Sequence, residues 1–199
     1  MYRFLCFFIT LFAISAQSQE IAITFDDAPR PDSRLFSGEE RTQKLISSLK
    51  KANVGDVLMF VTTKYITDKT KKRLEAYVEA GFHLGNHSHS HFSAHKENIE
   101  TYLADITVAR NKLIEFENVV PFYRHPYLHE GNDRKTRDGI SQHLINMGYR
   151  NAYVTVDNYD WYMDSLLQKA LANGKKVDYD ALKKAYVSIL WQAILFYDE

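Results

Sequence analysis

Two carboxylates adjoin in Thr24-Phe25-Asp26-Asp27, and three histidines alternate in Asn86-His87-Ser88-His89-Ser90-His91. Imidazole and carboxylate together suit a borderline divalent metal such as zinc, with cobalt, nickel or iron as alternatives. A lone histidine is more often a satisfied core or surface residue, but three alternating directly after an apolar run favour metal binding. His87 and His91 are four apart and share a face if the chain curls into a helical turn. His89 then points elsewhere and is left out of the ligand set. His83 and His95 carry no comparable signal and read as structural or surface residues.

Adjacent carboxylates in an extended chain point to opposite sides unless the backbone turns there. Pro29 and Pro31 follow at once, so a turn is expected, and Asp26 and Asp27 could take different roles in one pocket. The plain alternative is a solvated loop pair. Arg124 in Arg124-His125-Pro126-Tyr127 could clamp a carboxylate bidentately, or form only a surface ion pair. Asp157 and Asp160-Trp161 follow another apolar run. An acid there could instead cap a helix, and the tryptophan could be core.

The elements that must position these groups alternate strand and helix. Strands are expected at 21–25, 57–61, 82–86, from Pro121 into a turn at Tyr127, and at 152–156. Helices are expected at 38–49, 68–80, 98–116, 134–147, about 161–172 and 178–196. Ile99, Leu103, Ile106, Leu113 and Phe116 make the clearest apolar stripe. Such alternation argues for an α/β domain with a parallel sheet. Asp26-Asp27, His87, Arg124 and Asp157 all fall at C-terminal strand ends, the edge that carries active sites in this architecture.

The chain has 199 residues, 45% hydrophobic and 25% charged, enough for one domain with a sizeable core. Lys plus Arg and Asp plus Glu number 25 each, so nothing electrostatic favours nucleic acid or an anionic membrane. Residues 1–18 read as a signal peptide: a positive Met1-Tyr2-Arg3, an apolar Phe4 to Ile14, then Ala16-Gln17-Ser18. An uncleaved anchor is the alternative, but the run is short for a membrane span. Export to a periplasmic or extracellular space is expected, with no stable membrane anchor. The one cysteine, Cys6, lies in that segment, so the remaining chain has no disulfide, thiolate ligand or cysteine nucleophile.

Together these residues resemble the polysaccharide deacetylase family, the NodB-homology or chitin deacetylase-like enzymes. Thr24 to Asp27 is similar to its T-F-D-D motif, His87 to His91 to H-S-x-x-H, Arg124 to Tyr127 to R-x-P-F/Y, and Asp157 to Trp161 to D-x-x-x-W. The resemblance implies a distorted (β/α) barrel over residues 19–199 that hydrolyses the acetamide C–N bond of N-acetylated glycans. It implies Asp27, His87 and His91 as metal ligands, metal-bound water as nucleophile and Asp26 as general base tethered by Arg124. The Tyr127 N–H would support the oxyanion, Asp157 would support the site, and Trp161 and Tyr127 would contact sugar.

Two departures stand against the family pattern. Ala28 replaces a common glycine, and no L-x-x-H strand follows the last helix, which ends at Phe196-Tyr197-Asp198-Glu199. The expectation is a domain lacking its last strand and its usual general acid, with His125 and His129 as possible substitutes. A non-catalytic carbohydrate-binding relative, or a hydrolase of another non-peptide C–N bond such as a cyclic amide, are the alternative readings.

Overall fold

Five short apolar runs become five parallel strands, hydrogen-bonded in chain order β1 to β5. The structure, a computed structural model, describes residues 20–198. The strands are β1 (Ile23–Ala28), β2 (Val57–Val61), β3 (His83–Asn86), β4 (Val119–Tyr123) and β5 (Arg150–Asn151). Helices α1 (Gly38–Lys51), α2 (Asp68–Glu79), α3 (Ile99–Leu113) and α4 (Arg134–Asn146) carry the four crossovers. Helices α5 (Asp160–Ala172) and α6 (Tyr179–Asp198) follow. Monotonic strand order is that of an unrolled barrel, whereas a doubly wound sheet reverses order at a switch point. Among the described residues the sheet is an open arc. The proposed signal peptide, residues 1–18, lies outside the described residues, and no described helix is long and apolar enough to cross a membrane.

The helix boundaries follow local chemistry. Ser37 and Glu40 form a reciprocal capping box at the start of α1, and Asn98 and Asp133 cap α3 and α4 through their side chains. Gly81 and Gly148, at φ 91 and 78, end the turns after α2 and α4. The core forms on both sides of the sheet's centre. Leu49, Val57, Met59, Leu74, Tyr77, Phe82 and Leu84 join α1 and α2 to the first strands. Tyr102, Ile106, Tyr123, Ile140, Leu144 and Tyr149 join α3 and α4 to β4.

Three expectations need correction. Strand β1 does not stop at Phe25 but runs through both aspartates to Ala28. Residues 152–156 form no strand. Pairing stops at Asn151 because β4 ends at Tyr123 and the chain turns away, leaving Ala152 to donate to the Tyr123 carbonyl and nothing beyond to pair with. Residues 87–91 are not a helical turn but an irregular bend, described below.

Candidate functional site

Where β1 passes β2 the register slips between Phe25 and Ala28, and Asp27 sits at φ 64. That bulge breaks the two-residue alternation, so adjacent side chains need not face opposite sides. Asp26 and Asp27 accordingly face one cluster: His87 Nε2 lies 3.9 Å from Asp26 Oδ2 and 3.7 Å from Asp27 Oδ1. His91 Nε2 lies 3.2 Å from the same Asp27 oxygen.

His87 and His91 meet because the chain between them doubles back. Ser88 and His91 have φ 69 and 59, conformations that cost on the order of 1–3 kcal/mol each and persist only where contacts enforce them. Those contacts are visible. Asn86, wholly buried at the end of β3, accepts from the Ser88 N–H at 2.8 Å and donates to the Ile106 carbonyl and the Tyr149 hydroxyl. Ser88 Oγ accepts from the His91 N–H at 3.0 Å. Asp105, buried on α3, accepts the His89 N–H at 2.8 Å and the Ser90 N–H at 3.0 Å on both its oxygens. The sequence reading missed Asp105. Its signal is an acid set between the core positions Tyr102, Ile106 and Ala109 of one helix stripe.

Asp105→Ala strands two half-buried N–H groups, at up to about 1–3 kcal/mol each. We expect a loss of about 2–4 kcal/mol in urea unfolding together with weakened metal binding, and partial rescue by Asp105→Asn.

Each proposed ligand is oriented from behind. His87 donates Nδ1–H to the Arg124 carbonyl at 2.8 Å, a tautomer inferred from the acceptor, which leaves the Nε2 lone pair facing the aspartates. Asp27 accepts from Thr62 Oγ1 at 3.1 Å and from Arg30 Nη1 at 2.9 Å. Burial pushes the Asp27 carboxyl up, but His87, His91, Arg30 and the Thr62 hydroxyl outweigh it and hold the pKa below its ordinary value. Burial, only partly offset by Asp27, lowers the pKa of His91 and favours the neutral imidazole a metal needs. His89 stands apart, its Nδ1 against Thr63 Oγ1 at 3.0 Å.

The three residues pass a donor-spacing test for a divalent ion. Two donors at about 2.0–2.1 Å from a tetrahedral centre lie about 3.3 Å apart. The Asp27 oxygen is 3.2 and 3.7 Å from the two imidazole nitrogens, and all three donor atoms fall within 4.8 Å of one another.

Arg124 is buried at the end of β4. Its Nη1 donates to Asp26 Oδ1 and to Thr24 Oγ1, both at 2.8 Å, and its Nε donates to the Ala152 carbonyl. The contact to Asp26 is single rather than bidentate. Phe60 lies under the guanidinium, 4.2 Å from ring centre to Cζ. Gly85 leaves room for that ring, since a Cβ there would sit 2.8 Å from it. Tyr127, at φ 59, sets its ring against His91 with centroids 4.6 Å apart. Its N–H has no acceptor among the described residues, while the Leu128 and His129 N–H groups bond His125 and Pro126.

Other sequence candidates lie outside the cluster. Asp157 and Trp161 are exposed, and neither side chain makes a polar contact to it among the described residues. His129 Nδ1 faces Ser93 Oγ at 2.8 Å, and its ring stacks on His95 at 3.8 Å. His125 is buried, its Nδ1 accepting from Tyr102, which accepts from Tyr123. Burial, then the charge of His87, lowers the His125 pKa to about 4. A histidine with a depressed folded value stabilises fully above its ordinary 6.5 and loses that contribution as pH falls toward 4. We expect the protein to lose on the order of 3 kcal/mol across that window in denaturant titrations, and His125→Gln to flatten the dependence.

The chain's sequence matches the family described as polysaccharide deacetylase over residues 13–151. No curated protein matches it significantly. Solved structures share the fold. A family 4 carbohydrate esterase from Streptomyces lividans is 22% identical, with 74% of this chain and 70% of that one covered and a TM-score of 0.56. Peptidoglycan deacetylase PdaC from Bacillus subtilis is 26% identical over 71% and 61%, with a TM-score of 0.52. BA3943, a family pseudoenzyme from Bacillus anthracis, is 20% identical over 76% and 50%, with a TM-score of 0.56. The chain thus spans only about half to two thirds of the latter two.

Proposed function

From the premise that the chain belongs to the polysaccharide deacetylase family, we propose that it is an exported, metal-dependent hydrolase of the acetamide C–N bond of an N-acetylated glycan. The observation that carries this reading is the pairing of a donor trio, Asp27, His87 and His91, with a separate carboxylate, Asp26, tied to Arg124. Asp27 Oδ1, His87 Nε2 and His91 Nε2 would hold a divalent ion, zinc by the chemistry of the set. Such an ion, once bound, lowers the pKa of water and polarises a carbonyl.

The remaining steps belong to the protein. Arg124 occupies Asp26 Oδ1 and leaves Oδ2 directed at the cluster, 3.9 Å from His87 Nε2, to take the proton from the attacking water. The free Tyr127 N–H supports the oxyanion that develops on the acetamide oxygen. The amine must leave protonated. Among the described residues His125 is neutral and committed to Tyr102, so the proton collected on Asp26 is the one at hand. Asp157 would serve as a polar support, and Trp161 and Tyr127 would contact sugar.

A second reading keeps glycan binding but not the turnover, because no histidine outside the donor trio reaches the cluster among the described residues. Acetate release from N-acetylglucosamine oligomers separates the two. Release that a chelator stops and zinc restores supports the enzyme, and oligomer binding without acetate supports a binding module.

A further inference from the structure

Next to the cluster the segment after β1 folds against α1 and α5 around a cavity of about 350 Å³. Arg30, Arg34 and Arg41 line it, together with Asp32, Asp164 and Gln168. Arg30 faces both ways, since it also bonds Asp27 at 2.9 Å. The cavity therefore adjoins the proposed metal ligands directly.

Local structure consumes only part of this positive charge. Asp32 is committed to the Gly38 N–H and to Arg73, and Asp164 accepts from Gln168. Arg41 bonds only the Pro31 carbonyl, at 2.8 Å, and among the described residues neither Arg34 nor Arg41 forms an ion pair. Burial, then the like charge of Arg30, lowers the pKa of Arg41, and the opposing charge of Asp164 only partly offsets them.

The walls are also held in place. Arg73, 3% exposed, donates to the Arg30 carbonyl and to Asp32. Gly38 packs so closely on that guanidinium that no Cβ fits. The Arg34 N–H is tied to Gln168 on α5 at 3.1 Å. A concave, positively lined and braced pocket focuses field on an anion, and guanidinium forks match carboxylate geometry.

We propose that this cavity is a subsite for a carboxylate carried on a sugar next to the reacting N-acetyl sugar, so that the protein prefers acidic over neutral N-acetylated glycans. The inference rests on the deacetylase reading for its substrate backbone, but its test does not depend on turnover. Calorimetric titration of the full chain would compare N-acetylglucosaminyl–N-acetylmuramic acid oligomers with the same oligomers reduced from carboxylate to alcohol.

The carboxylate form is expected to bind about tenfold tighter or more at low salt, with the gap closing as salt screens it. Arg34→Gln, at an exposed position, is expected to remove most of the preference, and Arg34→Gln with Arg41→Gln all of it, circular dichroism showing that both fold. Equal affinity for the two oligomers, or a preference that survives in Arg34→Gln and the double variant, overturns the proposal. Acetate assays separate the two readings. Deacetylation without a carboxylate preference sinks the subsite alone. A preference lost in Arg34→Gln without any deacetylation keeps the subsite and sinks the enzyme.

Discussion

Asp26→Asn is expected to cut acetate release by about 10²–10⁴-fold while leaving fold and metal content close to wild type. Asparagine keeps the shape and can still accept from Arg124 Nη1, so the 2.8 Å contact has a neutral successor. What it loses is basicity, because an amide oxygen cannot take a proton from water near neutral pH. Arg124 retains Thr24 and the Ala152 carbonyl, which limits the structural cost. The informative comparison is therefore rate against metal stoichiometry. Unchanged kcat in a metal-replete Asp26→Asn protein would remove Asp26 from the mechanism.

The second large effect is on the metal. Wild-type protein is expected to hold about one equivalent of zinc, and Asp27→Ala or His87→Ala to weaken retention by more than about 100-fold, since outer-shell changes alone cost 10–100-fold. Two donors fall short of the three protein ligands that a catalytic zinc site needs, and Asp27 Oδ1 lies within 3.7 Å of both imidazole nitrogens. His89→Ala is the control. Its ring faces Thr63 rather than the cluster, so metal content should stay near one equivalent. Elemental analysis after gel filtration decides this, and acetate release should fall in parallel with zinc. Wild-type-like zinc in Asp27→Ala and His87→Ala would dismiss the site.

Much of the arrangement was legible beforehand because it is local. Apolar runs and helical stripes follow from periodicities of two and 3.6. Residue types at 26, 27, 87, 91 and 124 point to one chemistry only when taken together, since the aspartate pair and Arg124 each have a plain alternative when taken singly. The α/β class, the parallel sheet and the candidate cluster belong to that local information.

The tertiary structure alone decided how those groups meet. Asp26 and Asp27 share a pocket because β1 slips register on β2, and a slip exists only in a pair of strands. His87 and His91 converge through strained bends held by Asn86, Ser88 and Asp105 rather than through a helical turn. Residues 152–156 carry a strand-like pattern yet stay unpaired because their neighbour turns away. The same holds for the cavity of Arg30, Arg34 and Arg41, which needs α5 to close against the loop after β1. The His87–Arg124 carbonyl bond spans 37 residues, the Thr62–Asp27 contact 35 and the Arg124–Asp26 tether 98. Sequence patterns report on neighbours within a helical turn or a strand. Which lone pair faces which proton depends on contacts between residues far apart in the chain, and those exist only once it is folded.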